Sequence, residues 1–173
     1  MPEFVNPIQI LEQIPLRSTM TAADFGCGSG GWTIPLAKKL EDGQVFAVDI
    51  QEEPLSALES RAKIQKITNI RKIIADVETR IPEIPGSSCD LVLITDLLFE
   101  VDNKKGVFEE AKRVLKPGGK VLVVEWIPGV FLAPKERVPS KEEVRKIAEE
   151  FGFRLEKELK AGDYHFGLVF VKE

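Results

Sequence analysis

Short apolar runs alternating with helical patterns predict an α/β domain: a doubly wound, mostly parallel sheet with helices on both faces. Three observations carry that prediction. Five strand-like runs, at 21–25, 44–50, 70–76, 89–96 and 120–126, are mostly separated by stretches of helical period. A glycine-rich turn follows the first run directly. The tail holds two further runs, 153–160 and 164–172, close enough through A-G-D to form an antiparallel hairpin.

Each element has its own signal. T-A-A-D-F is a buried strand ending in glycines, and G-W-T-I-P-L-A-K-K-L (31–40) follows as a helix. Pro35 is tolerated there because it lies in the first turn, and Gly43 marks the stop. Q-V-F-A-V-D-I (44–50) is a second strand. A helix begins near Glu53, with Pro54 in its first turn and Leu55, Leu58 and Ala62 on one face. I-R-K-I-I-A-D (70–76) is a third strand, and a loop leads to the nearly all-apolar C-D-L-V-L-I-T-D (89–96). Residues 104–115 place Val107, Phe108, Ala111, Val114 and Leu115 on one helical face, and K-P-G-G should end that helix. K-V-L-V-V-E-W (120–126) is the fifth strand. A Pro-rich loop, 127–139, precedes a capping box of Ser140 and Glu143 and a helix closed by Gly152.

The 173 residues fit one domain, 1–173, with 1–19 as an N-terminal helical cover and 127–139 as a substrate-side loop. At 43% hydrophobic and 30% charged, the chain suits a soluble globular protein. A net charge of −4 supplies no basic excess, so no nucleic-acid partner is expected. No apolar run reaches the roughly 20 residues of a membrane span, and the first residues lack a secretory pattern. Two cysteines without a C-x-x-C spacing fit a reducing cytoplasm and frame no metal site.

Function concentrates in the first glycine turn. Gly26, Gly28 and Gly31 spell G-x-G-x-x-G, which lets the backbone approach a ligand closely and turn into a helix. Charge separates the ligands such a loop can take. A pyrophosphate favours a helix N-terminus free of carboxylates, and Asp24 would repel it. S-adenosylmethionine has no phosphate and carries a sulfonium and an α-ammonium, cations that Asp24 suits. Asp49, ending the second strand, suits a ribose diol under either reading.

At these residues the chain resembles class I S-adenosylmethionine-dependent methyltransferases. A-D-F-G-C-G-S-G-G is similar to their acidic-x-G-x-G-x-G motif, V-F-A-V-D-I to their second motif, and I-I-A-D-V-E to the adenine-binding segment. Residues 89–126, with K-P-G-G, resemble the region between the fourth and fifth strands, and G-D-Y-H-F-G-L-V-F-V-K resembles the terminal hairpin of small ubiquinone/menaquinone-type methylases. The resemblance implies a Rossmann-like, seven-stranded mixed sheet in the order 3-2-1-4-5-7-6 with strand 7 antiparallel. It also implies S-adenosylmethionine as cofactor. Asp24 and the backbone of Gly26 and Gly28 would take the methionine part, Asp49 the ribose, Asp76 the adenine amino group, and Val77 the ring through its N–H. Thr95 would line the methyl-transfer mouth, with Cys27 and Ile50 completing the cofactor set. Many relatives carry histidines after the fourth strand; here the segment is D-L-L-F-E-V, which leaves Asp96 and Glu100.

The expected chemistry is in-line displacement of the methyl group by a small-molecule acceptor, with positioning as the main source of rate. His165, the only histidine, falls in a turn at the functional edge and is a candidate base, together with Asp96. Cys27 reads as a buried filler rather than a nucleophile. Trp126 and Phe131 could wall the acceptor pocket, and Lys135 and Arg137 could hold an anionic group. Phe4, Ile8, Ile10 and Leu11 read as a cover over the site or as core packing. Competing readings are a methyltransferase for protein or RNA, a nucleotide-dependent oxidoreductase, and a ligand-binding relative without catalysis. A homodimer would be one way to build a macromolecular surface.

Overall fold

A computed structural model describes residues Met1–Glu173. In chain order the elements are α1 (Pro7–Leu11), β1 (Thr21–Phe25), α2 (Thr33–Lys39), β2 (Gln44–Asp49), α3 (Glu52–Ile64), β3 (Ile70–Ile74), β4 (Cys89–Thr95), α4 (Lys104–Val114), β5 (Leu115–Trp126), α5 (Lys141–Glu150), β6 (Phe153–Leu159) and β7 (His165–Lys172). The seven strands form one sheet in the order β3-β2-β1-β4-β5-β7-β6. β1 to β5 run parallel, and β7 lies antiparallel to both β5 and β6.

The alternation of side chains across each strand splits the core in two. Ala23, Val48, Val92, Ile94, Val121 and Val123 face α4 and α5, which answer with Phe108, Ala111, Val144 and Ala148. Ala22, Val45, Leu91, Leu93, Leu122 and Val124 face α1 and α2, and Ala47 faces Leu55 and Leu58 of α3. Strands buried on both faces need continuous apolar sequence, which is why β1, β2, β4 and β5 are so legible.

Two elements differ from expectation. The K-P-G-G segment does not simply separate helix from strand. Leu115 already pairs with Cys89, and the ladder resumes at Lys120 opposite Leu91. Residues 116–119 therefore bulge out against Asp90 alone. The N-terminal helix spans only five residues: Ile10 and Leu11 are buried against the sheet, while Phe4 and Ile8 are exposed. Lacking a helix, the long loop from β3 to β4 is satisfied by a buried ion pair. The Glu110 carboxylate accepts the Ile81 N–H and two guanidinium donors of Arg113, and Arg113 Nη2 also donates to the carbonyls of Ile81 and Ile84.

Candidate active site

β1 lies between β2 and β4, so the loops leaving β1 and β4 diverge to opposite faces and open a crevice at the carboxyl edge. A cavity of about 500 Å³ fills it. The loop after β1 contributes Gly26, Cys27 and Gly28; that after β2, Asp49 and Ile50; that after β3, Asp76 and Val77; and that after β4, Thr95 and Asp96. Trp32, Glu78, Leu97 and Glu100 also border it. Its lining includes five carboxylates (Asp49, Asp76, Glu78, Asp96, Glu100) and no lysine or arginine.

The glycine loop is shaped by crowding as well as by φ. Gly30 has φ +93, and a Cβ there would lie 2.3 Å from Leu58 Cδ1, whereas Gly31 has ordinary φ and open space. The third structurally required glycine is thus Gly30, giving D-x-G-x-G-x-G from Asp24 rather than the G-x-G-x-x-G spacing through Gly31. Gly28, at φ +54, has open space where its Cβ would stand. A ligand can therefore come close to its backbone. Asp49 ties this loop down: Gly28 N–H donates to Oδ2 at 2.9 Å and Gln51 N–H to Oδ1 at 3.0 Å. Asp76 forms an equivalent local turn, accepting the Glu78 N–H at 2.8 Å.

Asp24 and His165 do not border the cavity. Asp24 is fully buried, accepts the Thr33 hydroxyl at 2.6 Å, and leaves Oδ1 without a partner. Burial, with Asp49 nearby, raises its carboxyl to about 6 despite the Thr33 bond. Burial and the carboxylates of Asp24 and Asp49 push the Cys27 thiol up, away from the reactive thiolate. Burial, then Asp49 and Asp96, also raises Glu100.

His165 is the first residue of β7 rather than part of a turn, and its ring is buried. It lies on Trp126, with ring centroids 4.1 Å apart, and its Nε2 is 3.1 Å from Asp96 Oδ1. That contact is close, but its angles are not those of a hydrogen bond, so both imidazole nitrogens and Asp96 Oδ1 lack a directed partner. Tyr164 turns to the other side and packs on Phe4 at 5.3 Å.

The acceptor-side expectations fare differently. Trp126 supports His165 and does not border the cavity. Phe131 is 95% exposed and walls nothing. Arg137 is engaged, donating to the Val101 carbonyl and to Asp102, both at 2.6 Å. One buried acid beside the site is not among the candidates above. Glu125, near the end of β5, is inaccessible to solvent and carries a carboxyl raised to about 7 by burial and by Asp96. Its signal was present in V-V-E-W, a carboxylate ending an apolar run as Asp24 does.

Residues 16–153 match a family model described as a methyltransferase domain. A demethylmenaquinone methyltransferase from Geobacillus sp. is 32% identical over 116 residues, covering 66% of this chain and 49% of that protein. Its Staphylococcus aureus counterpart is 32% identical over 120 residues, covering 68% and 47%. The chain thus spans about half the length of the curated relatives it matches. Among solved structures, a SAM dependent methyltransferase from Aquifex aeolicus superposes with a TM-score of 0.89 at 28% identity, covering 98% of this chain and 91% of that one. The cyclase SpnF, at 15% identity and TM-score 0.83 over 96% and 79%, shares the fold alone. With this match, sheet order and cavity, the chain belongs to the methyltransferase domain family.

Proposed function

We propose that the chain binds S-adenosylmethionine in the crevice at the ends of β1 to β4 and transfers its methyl group to a small-molecule acceptor. The observation that carries this is the single cavity in which a glycine loop, Asp49 and Asp76 converge without a basic side chain. A dinucleotide would bring a pyrophosphate to a ring of carboxylates, an unfavourable pairing. The residues suit a cationic cofactor: Asp24 Oδ1 is an unpartnered acceptor behind the loop, Gly28 leaves its backbone approachable, and Asp49 retains lone pairs for a diol.

When bound, S-adenosylmethionine supplies an electrophilic methyl group carried on a sulfonium. The chain's part is to orient and to move a proton. Gly26, Cys27 and Gly28 hold the methionine end, Asp49 the ribose, Ile50, Asp76 and Val77 the adenine side, and Thr95 the mouth. Asp96 borders the cavity beside Thr95, with His165 packed behind it at 3.1 Å, so the Asp96 carboxylate is the member of the pair that can meet an acceptor hydroxyl while the imidazole backs it. The named activity of the Geobacillus and Staphylococcus relatives favours an acceptor of the quinone or phenol class.

Calorimetry with S-adenosylhomocysteine and with NADH tests the reading. Micromolar binding of the first and none of the second is expected; the reverse would overturn it. A methyl-transfer screen over phenols, quinones, amines and thiols then identifies the acceptor, and His165→Ala should lower turnover on it while sparing cofactor affinity.

A further inference from the structure

Asp96 and His165 come from distant parts of the chain, and something must bring them to 3.1 Å. Asp96 sits at φ +46, a left-handed conformation rare for a residue with a side chain. Such strain persists only where neighbours over-determine it. One restraint is ordinary: Asp96 N–H donates to the Val124 carbonyl at 2.9 Å. The other is Glu125. Its Oε2 accepts the Leu98 N–H at 2.9 Å, and its Oε1 accepts the Trp126 N–H at 2.9 Å.

These two bonds reach both halves of the pair. Leu98 lies two residues after Asp96, so its amide fixes the turn that aims the Asp96 carboxylate. Trp126 pairs across the sheet with His165 and carries the indole on which the imidazole rests. From this geometry we infer that Glu125 is a positioning residue, a buried clamp that holds Asp96 and His165 against each other; the inference rests on the acid–base reading of that pair.

Glu125 is the only charged residue among the buried positions of β5. Every other buried residue of β5 between Val121 and Val124 is apolar. An apolar residue at 125 would leave the Leu98 N–H without its acceptor. The charged group facing Glu125 is Asp96; its remaining neighbours in this balance are the amides of Leu98, Phe99 and Trp126. Those amides favour the carboxylate, whereas burial and Asp96 favour the acid, which places its titration near neutrality. Protonating Glu125 weakens the clamp, so the geometry of the pair tightens as pH rises through that range.

His165 is the only histidine, so its ring resonances are assigned by inspection in a ¹H–¹⁵N spectrum of the intact protein. Three variants separate the possibilities. Asp96→Asn removes the charge beside the imidazole and should move the His165 ring ¹⁵N resonances at fixed pH. Glu125→Gln should move them in the same direction, because the relaxed turn carries Asp96 away. Glu125→Asp keeps the charge but shortens the reach to Leu98 N–H, and it should behave like the Gln variant. Wild-type ring resonances in the Asp variant would show that charge alone matters and would overturn the positioning role. A shift in Asp96→Asn with none in either Glu125 variant would also overturn it, while leaving the pair intact. No shift in Asp96→Asn would remove the pair and the clamp together. Should the variants unfold, the wild type supplies a second measurement. The amide shifts of Leu98 and Trp126 should follow one shared titration near neutrality, and two flat amides would refute the clamp.

Discussion

Asp49→Ala is the perturbation that bears most directly on the proposed cofactor seat. In the structure its two oxygens accept the amides of Gly28 and Gln51, and the same carboxylate borders the cavity. A ribose diol would add two hydrogen bonds to a charged acceptor, each worth about 1.5 kcal/mol, so the loss should be about 3 kcal/mol. That corresponds to roughly a 150-fold weaker dissociation constant. The substitution also frees Gly28 from its tether, which adds to the loss by loosening the loop. The assay is isothermal titration of S-adenosylhomocysteine into wild type and variant near neutral pH, with circular dichroism to show that the fold persists. Asp49→Asn, which keeps one acceptor oxygen, should fall between the two. A folded Ala variant with affinity within about threefold of wild type, a change below 1 kcal/mol, would refute the reasoning. Asp49 would then be only a former of the turn into α3.

Three further predictions follow from the same geometry. Asp24 has a carboxyl raised by burial to about 6, so its contribution to stability is full below its ordinary range near 3.8 and is lost as pH rises through 6. Asp24→Asn, which can keep the Thr33 bond, should therefore raise stability by about 3 kcal/mol at pH 8, fade to little effect towards pH 4, and weaken cofactor binding. Thermal unfolding across pH checks the first two parts, and a variant less stable at pH 8 would contradict them. Gly30→Ala should destabilise the fold by more than about 2 kcal/mol through the Leu58 clash and its positive φ, whereas Gly31→Ala should be nearly neutral. Denaturant titration of both variants decides this. Cys27 and Cys89 both have thiols pushed up by burial, Cys89 to about 11, so neither should react with iodoacetamide in the native state near neutral pH. Rapid alkylation of Cys27, read by mass spectrometry, would contradict its environment.

The central strands were legible because β1, β2, β4 and β5 are apolar on both faces and most crossovers carry a helical period, while their order in the sheet was legible only through the family resemblance. The charge of the cofactor seat was legible for a related reason, since a carboxylate ending an apolar run is costly and so conspicuous. What sequence could not supply was contact between distant residues. G-S-G-G offers two glycines for one pattern position, and only Leu58, on α3, makes the first of them obligatory. K-P-G-G reads as a helix stop, yet Leu115 has already joined the ladder before it. Arg137 reads as a free loop cation, and its partners, Val101 and Asp102, lie on the segment after β4. Glu125 gave the same local signal as Asp24 but had no glycine loop beside it to draw attention.

The acidic, cation-free lining of the cavity also bears on turnover. Methyl transfer would discharge the sulfonium, so the molecule that leaves carries one positive charge fewer than the one that enters. Carboxylates at the rim would attract the incoming form more strongly than the outgoing one, by about 1 kcal/mol per sulfonium contact near 4 Å even in a water-like dielectric. Such a lining would favour fresh cofactor over spent, and the preference would shrink as salt screens the rim.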